Sequence, residues 1–263
     1  KYNQENRGDV YATHGLGPVA QCMDIHRGDR FTTLVAMDTE SFFGKDFVEK
    51  KTGKECKDFR NGDHTTTLMR TAKGKVVEIQ HNVMTPQPYN RLFKLTGTKG
   101  YATKYPTPEY ALSGDALKGT DAPQMDNLNA HGFMNAAQKQ ALEKKYYHPI
   151  LTKYGEKGRE MGHGGMDYIM DARLVYCLQN GLPLDMDVYD MAEWCSLAEL
   201  GAISMDNNCA AVTFPDFTRG YWNMQQGYKH AYAPAEEEAK TEAAADAYTA
   251  AQKKVTADFN LWG

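Results

Sequence analysis

The sequence lacks a long hydrophobic run and any concentration of positive charge. No apolar stretch approaches the roughly 20 residues that a membrane-spanning helix requires. The first nine residues carry no apolar core of a secretory signal. The formal net charge is -4, and no basic stripe is present to neutralise phosphates. We therefore predict neither a membrane span nor a nucleic-acid partner.

The sequence also lacks paired cysteines. Its five cysteines are widely spaced and include no CxxC pair, so a zinc finger is excluded. An odd number of cysteines argues against a fully paired disulfide framework. We predict no metal site from the cysteines.

No GxGxxG motif follows a strand and opens a helix. The nearest match, residues 14–18 (HGLGP), has two glycines at the wrong spacing, and Pro18 removes a backbone donor. We therefore expect no Rossmann domain within this chain.

What the chain does contain is ample length and many tyrosines. Its 263 residues suffice for one large domain or two small ones. Sixteen tyrosines suit a carbohydrate or cofactor pocket, because each offers a flat apolar face and a polar tip. A tyrosine-rich core edge or subunit contact is an equally good explanation of the count.

Short runs in the first half predict strands. Residues 64–70 and 75–82 flank a Thr-Ala-Lys-Gly turn and read as a hairpin, in which Val77, Ile79 and His81 share one face. His81 is predicted to be a core histidine. Further strands are predicted at 31–37, 89–96 and 99–104, and the short turns between them favour an antiparallel sheet.

The second half is predicted to be mostly helical. Residues Met166, Met170, Leu174 and Leu178 form an apolar stripe at helical spacing, and Asp187 is placed to cap a helix through Leu200. Strands followed by helices indicate an α+β fold, an open, mainly antiparallel sheet with helices packed on one face. We assign residues 1–230 to this domain and residues 231–263 to a helical tail.

The most promising site is the segment that contains Tyr11, Thr13 and His14, just before a glycine-rich turn. A phenol and an imidazole three residues apart can converge on one pocket, and histidine exchanges protons near neutral pH. The alternative, that His14 merely caps the following helix, is favoured by spacing alone.

A second candidate is His163, which is flanked by glycines that permit close approach of a ligand. His163, Asp167 and Asp171 would share a helical face and could in principle bind a metal. Acidic residues in the first turns of a helix, where they complement its dipole, are the preferred explanation, so no metal is predicted.

A third candidate is the pair Tyr89 and Arg91, which follows two prolines. On a strand the two side chains would point to the same face, where they could hold a sugar or form an ordinary surface pair. The acids at 185–190 lack the glycine and terminal glutamate of an EF-hand loop, so helix capping is the better interpretation.

Taken together, these motifs resemble glycoside hydrolase family 109, a branch of the glucose–fructose oxidoreductase and inositol dehydrogenase superfamily. The stretches that carry the resemblance are YATHGLGPVAQCMDIHRGDRF (11–31), TPQPYNRLFKLTGTKG (85–100), GHGGMDYIMDARLVYCLQNGLPLDMDVYDMAEW (162–194) and PDFTRGYW (215–222). Members of that family look like two-domain proteins, and this chain resembles only the C-terminal domain. The family's N-terminal Rossmann domain, which binds NAD, has no counterpart here.

The resemblance implies hydrolysis of terminal α-linked N-acetylgalactosamine. NAD takes a hydride from C3 of the sugar, a base removes the C2 proton, and the glycosidic oxygen leaves by elimination. Water then adds and the hydride returns. Such glycosidases differ from the usual two-carboxylate scheme, because the cofactor carries the difficult step.

By the same resemblance, Tyr11 and His14 are the catalytic candidates. Tyr11, Thr13, His14, Tyr89 and His163 are the substrate-binding candidates, and no NAD-binding residue is assigned. The resemblance also suggests a periplasmic or exported protein and a homo-oligomer formed through the sheet. Two alternatives remain open, namely a sugar dehydrogenase of the same superfamily and a non-catalytic sugar-binding or assembly module. In either enzyme case, the isolated chain is expected to be inactive.

Overall fold

The computed structural model describes residues 1–113 and 132–234. The chain divides into two compact units. The first unit consists of residues 1–89 and 186–229, and the second of residues 90–185 and 230–263. The predicted domain boundary at residue 230 stays a prediction, and most of the predicted helical tail lies outside the described residues.

The described elements alternate less regularly than a βα repeat. The strands are β1 (Phe31–Asp38), β2 (Thr65–Thr71), β3 (Val76–His81), β4 (Lys94–Gly97), β5 (Gly100–Thr103), β6 (Glu109–Leu112) and β7 (Val212–Thr213). The helices are α1 (Tyr2–Glu5), α2 (Thr13–Cys22), α3 (Phe43–Thr52), α4 (Ala136–Tyr146), α5 (Pro149–Arg159), α6 (Met166–Gln179) and α7 (Val188–Asp206). Short 3-10 turns lie at His163–Gly165 and Tyr221–Asn223.

The first unit contains a four-stranded sheet of order β3-β2-β1-β7, with every neighbour antiparallel. The predicted hairpin is confirmed, since β2 and β3 are joined by a tight turn in which Gly74 adopts φ +83°. Glycine suits that position because it adopts positive φ without steric cost. The alternation predicted for β3 is also confirmed, with Val77, Ile79 and His81 buried and their neighbours exposed.

One face of this sheet is covered by α2 and α7. Leu16 of α2, Leu34 of β1, Met69 of β2 and Leu197 of α7 are buried in a single apolar cluster. Gly201 of α7 faces Ala36 of β1, and a Cβ on Gly201 would lie in ordinary contact with the Cβ of Ala36, 3.6 Å away. The α+β fold with helices on one face of an antiparallel sheet is thereby confirmed.

Helix α7 begins where the sequence predicts it. The Asp187 side chain accepts hydrogen bonds from the backbone N–H groups of Tyr189 and Asp190, while the Asp190 side chain accepts from the Asp187 N–H. This capping box satisfies N–H groups that have no partner within the helix. The helix then continues to Asp206, six residues beyond the predicted end.

The second unit contains an antiparallel sheet of order β4-β5-β6. The strand predicted at 89–96 is wrong in its first half, because regular pairing begins only at Lys94. The reason is local. The Asn90 side chain accepts a hydrogen bond from the Leu92 N–H at 2.6 Å, and Leu92 adopts φ +48°. Asparagine commonly offers the backbone such a turn in competition with a strand.

Helix α6 packs against α5 with an unexpected face. The apolar stripe is exposed, with Met166 at 49%, Met170 at 52%, Leu174 at 44% and Leu178 at 65% accessibility. The buried positions are instead Arg173 and Cys177. Across the described residues, no helix is both long and apolar enough to cross a membrane.

Candidate functional site

The side chains of Tyr11 and His14 lie against each other at the start of α2. Their ring centroids are 4.6 Å apart with an interplanar angle of 25°, and the Tyr11 hydroxyl lies 3.3 Å from His14 Nε2. Both residues are exposed. The structure therefore presents a stacked phenol and imidazole, with their polar atoms in hydrogen-bonding range, to any ligand that approaches this turn.

The exposed pair is held by a buried framework. Ala12 and Leu16 of the same turn are buried in the core of the first unit, and Gly17 packs against the ring of Trp194. A Cβ at Gly17 would lie 3.3 Å from that ring, so glycine is the residue that permits this approach. His14 is therefore mounted on a helix whose opposite side is fixed.

Pro18 lies in the interior of α2. Proline has no N–H to donate to the carbonyl four residues earlier, and its ring crowds that carbonyl. That carbonyl belongs to His14. The helix ladder is thus interrupted at the candidate catalytic histidine itself.

Thr13, the first residue of α2, is half-buried next to this pair. Tyr89 belongs to the same unit and is 73% exposed in an irregular segment after β3. Because this segment is not a strand, the predicted alignment of Tyr89 and Arg91 on one strand face is wrong. Of the predicted site residues, the structure brings Tyr11, Thr13 and His14 together.

His163 belongs to the second unit. It adopts φ +47° in a turn where Gly162, Gly164 and Gly165 also have positive φ, and its Nδ1 lies 3.0 Å from a carboxylate oxygen of Asp167. The glycines therefore serve an unusual left-handed turn that precedes α6. Because α6 begins only at Met166, His163 does not lie on one helical face with Asp167 and Asp171, although its side chain contacts Asp167.

A second polar cluster, which we did not predict, lies buried in the first unit. His26 Nε2 contacts a carboxylate oxygen of Glu193, and His26 Nδ1 lies 3.7 Å from Asp190. Arg27 makes two hydrogen bonds to Asp190, at 2.8 and 2.7 Å. Two cationic side chains thus face two carboxylates beneath the first turns of α7.

The ionisation of this cluster follows from its contacts. Burial alone would lower the pKa of His26, but the adjacent carboxylates of Asp190 and Glu193 raise it to about 9. Burial disfavours ionised Asp190, yet the hydrogen bonds from Arg27 and the nearby His26 ring hold its pKa below the usual range. Burial raises the pKa of Glu193, and the bond with His26 only partly offsets this.

The described residues include one group of three side chains with the spacing of metal ligands, namely His26, Asp187 and Asp190. Arg27 already binds both carboxylate oxygens of Asp190. A cation would have to displace this guanidinium and enter beside a second cationic group, His26. We therefore interpret the cluster as a buried ion-pair network.

A sequence signal for this cluster exists. The buried residues of α7 recur with helical periodicity, and two of them are acidic. They are Asp190, Glu193, Trp194, Leu197, Leu200, Gly201, Ser204 and Met205. A carboxylate on the apolar face of a helix requires a buried partner. What the sequence does not identify is that partner, since His26 lies in a distant loop.

The second unit contains an open groove of about 690 Å³. Its lining is mostly apolar and rich in tyrosine, and includes Tyr101, Tyr110, Tyr146 and Tyr147. None of the predicted site residues lines it.

Comparison with known protein families gives a match over most of the chain. Residues 1–224 match the family described as "Glycosyl hydrolase 109, C-terminal domain". The match includes the turn that carries Tyr11 and His14, the segment around Tyr89 and the turn that carries His163.

Curated relatives agree with this match. "Glycosyl hydrolase family 109 protein 3" of Phocaeicola vulgatus is 84% identical over 262 residues, covering 100% of this chain and 48% of the relative. "Glycosyl hydrolase family 109 protein 1" of Bacteroides thetaiotaomicron is 58% identical over 88% of this chain and 50% of its own length. The chain thus spans about half the length of the curated relatives it matches.

Solved structures resemble the chain only distantly. An oxidoreductase domain protein from Kribbella flavida shares 12% identity with a TM-score of 0.48, covering 72% of this chain and 47% of its own. An NAD-binding protein from Listeria innocua shares 12% identity with a TM-score of 0.40, over 78% of this chain and 47% of its own. Likenesses of this strength carry no argument about function.

Proposed function

The chain belongs to glycosyl hydrolase family 109, and on this premise we propose that it is the substrate-facing part of an NAD-dependent glycosidase. The proposed substrate is a terminal α-N-acetylgalactosaminide. The observation that carries the proposal is the exposed, stacked pair of Tyr11 and His14 within the region that matches the family. The complete protein would include the half of its relatives that this chain does not span.

The described residues do not fit a dinucleotide cradle. Every strand pair in residues 1–113 and 132–234 is antiparallel, whereas a dinucleotide fold is built from parallel βαβ units. The glycines that follow His14 lie inside α2, with Pro18 after them. We therefore assign NAD binding mainly to residues outside this chain and expect the isolated chain to be inactive.

The work proposed for this chain is to bind the sugar and to handle protons. His14 is suited to proton exchange because histidine changes charge near neutral pH. Tyr11 can donate to or accept from a sugar hydroxyl while its ring holds the imidazole in place. Thr13, Tyr89 and His163 are proposed as further substrate contacts.

The test is a chimeric protein in which this chain follows the N-terminal half of its 84%-identical relative. Activity is measured as release of nitrophenol from p-nitrophenyl α-N-acetylgalactosaminide. We expect His14→Ala to lower kcat by about 100-fold or more, the usual contribution of a general acid or base, with the unfolding midpoint unchanged. His64→Gln is the matched control. It alters the histidine that immediately precedes β2 in the same unit, and it should retain activity.

Each other outcome is decisive. Absence of nitrophenol release by the unaltered chimera contradicts the glycosidase proposal, and accumulation of NADH without nitrophenol favours a sugar dehydrogenase instead. Full activity of His14→Ala removes His14 from the reaction. Turnover by the 263-residue chain with NAD alone contradicts the assignment of NAD to the missing half.

An assembly role is the second candidate, and a specific surface favours it. Within residues 1–113 and 132–234, the sheet face opposite α2 and α7 exposes Met37 at 62%, Leu68 at 47% and Val76 at 62%. Exposed apolar patches commonly mark contacts between proteins. We propose that this face joins two copies of the chain, in which case Leu68→Lys should convert a dimer to a monomer in analytical ultracentrifugation.

A further inference from the structure

The buried face of the four-stranded sheet ends in a polar row. In the register of β1, β2 and β3, Asp38 lies opposite Thr65, and Thr65 lies opposite His81. Residues opposite one another in antiparallel strands share a face. The Asp38 side chain is 7% exposed, Thr65 is 1% exposed and His81 is 8% exposed. Polar groups therefore replace the apolar core at this end of the sheet.

The chain segment just before Tyr11 is tied to this row. Arg7 makes two hydrogen bonds of 2.8 Å to the Asp38 carboxylate, and the Gly8 N–H donates to Asn61 Oδ1 at 3.0 Å. Gly8 adopts φ +103°, and a Cβ there would lie 3.1 Å from the Ala198 carbonyl oxygen. The segment is thus bound to the sheet through Arg7, and it packs closely against α7 at Gly8.

Asp9 continues this segment and is only 2% exposed. Its carboxylate interacts electrostatically with His81. Burial raises the pKa of Asp9, while the charge of His81 lowers it. Burial lowers the pKa of His81, Asp9 raises it again, and nearby His64 lowers it further. Burial is the larger influence on both groups, so the pKa of Asp9 is raised overall and that of His81 is lowered overall.

Asp9 is also joined directly to the candidate catalytic turn. Its Oδ1 accepts a hydrogen bond from the Tyr11 N–H at 3.3 Å. Ile79 shares the buried face of β3 with His81 and packs against Gly15. A Cβ built on Gly15 would lie 3.7 Å from Ile79 Cγ2. The start of α2 therefore rests on the end of β3 that carries His81. Within the described residues, His81 Nε2 is buried without a hydrogen-bond partner.

We propose that Asp9 is a positioning residue, which holds Tyr11 and His14 in their stacked arrangement. Asp9 touches no substrate in this proposal. Its buried carboxylate fixes the turn from which both rings project, through the hydrogen bond that it accepts from the Tyr11 N–H. The effect on turnover rests on the proposed glycosidase function, whereas the effect on the geometry of the two rings does not.

The experiment compares two substitutions at Asp9 in the chimeric protein. Asp9→Leu has similar size but cannot accept from the Tyr11 N–H, whereas Asp9→Asn retains an oxygen that can. Displacement of a catalytic group by about 1 Å can lower the rate about 100-fold. We expect a fall of this size in kcat for Asp9→Leu with little change in KM, and recovery of most of the activity in Asp9→Asn. Thr67→Val, on the same buried face, is the control.

A second measurement does not require the reaction. In proton NMR of the 263-residue chain, stacking on Tyr11 should shift the His14 ring signals, and Tyr11→Ser gives their unstacked position. Asp9→Leu should move the signals to that position, while Asp9→Asn and Thr67→Val should leave them unmoved.

Unshifted His14 signals in a folded Asp9→Leu variant overturn the proposal, as do equal losses of activity in the Leu and Asn variants. If Asp9→Leu does not fold, Asp9→Ala replaces it, and unchanged ring signals in that variant contradict the positioning role. Absence of turnover by the unaltered chimera contradicts the glycosidase function alone, and the NMR result still decides the positioning role.

Discussion

The two units of the chain bury different kinds of residue. The first unit has a continuous apolar core in which Leu16, Leu34 and Leu197 are fully buried. Among the described residues of the second unit, the apolar core contains Met134 with partly buried neighbours. There, the buried side of α6 centres on Arg173, which donates to both carboxylate oxygens of Asp185 and to the Ala231 carbonyl.

This difference shows that a regular spacing of apolar residues does not by itself decide whether they are buried. The apolar positions of β3 face a core, whereas those of α6 face outwards. In the second unit, the rings of Tyr176 and Tyr232 flank the Arg173 guanidinium at 5.1 and 4.9 Å. Its stability should therefore depend more on charge and hydrogen bonding than that of the first unit does.

The largest expected effect is in the apolar core. Leu197→Ala should lower the free energy of unfolding by about 2–5 kcal/mol, because it removes a fully buried side chain and leaves a cavity. Urea denaturation followed by the fluorescence of buried Trp194 measures this. Leu174→Ala, at an exposed position of α6, is the matched control and should cost about 0.5 kcal/mol or less. Equal losses of unfolding free energy in the two variants would contradict the contrast between the buried core of the first unit and the exposed stripe of α6.

The next effect is in the second unit. Arg173→Met should cost about 3 kcal/mol, because it leaves the Asp185 carboxylate without its cation in a partly buried site. Hydrogen exchange of the α6 amides reports this locally. Adding Asp185→Leu should recover much of the loss, since the carboxylate that has lost its guanidinium is then removed as well. A double variant no better than the single would contradict the importance of this ion pair.

The first unit also contains a charged element, and its pH dependence is predictable. His26 has a pKa of about 9, above its usual value, so its contribution is complete below about pH 6.5 and is lost as the pH rises through 9. For a single proton, stability should fall by at most about 1.4 kcal/mol per pH unit in this window. In urea titrations at several pH values, His26→Gln should flatten the profile. An unchanged slope would show that another group titrates.

The smallest effect is expected on the exposed stripe of α6. Met170→Gln should change the free energy of unfolding by no more than about 0.5 kcal/mol, because the side chain is already half exposed. Thermal unfolding beside the unaltered chain measures this. A loss several times larger would show that the stripe is buried in solution and would remove the contrast with the first unit.

Local signals in the sequence predicted much of the fold correctly. The β2–β3 hairpin, the alternation of β3 and the Asp187 cap all depend on residues close together in the chain. The Tyr11 and His14 pair was predicted for the same reason, since the two residues are only three positions apart in the chain. The strand proposed from Tyr89 failed because Asn90 supplies a competing side-chain hydrogen bond that alternation alone does not reveal.

Long-range contacts could not be predicted in this way. Nothing near His26 indicates that Glu193, 167 residues later, is its partner, although acids on the apolar face of α7 signal that some partner exists. Likewise, His81 was recognised as a core residue, but its interaction with Asp9 depends on how the segment before α2 crosses the sheet.

The sequence by itself determined the turns, caps, strand alternation and family, because each is encoded in residues a few positions apart or in motifs shared with relatives. Only the tertiary structure decided which side of α6 is buried, which charges pair beneath α7 and which groups support the start of α2. The physical reason is that burial and pairing depend on what the remainder of the chain brings to each surface, and a buried charge is tolerated only where another element supplies its partner.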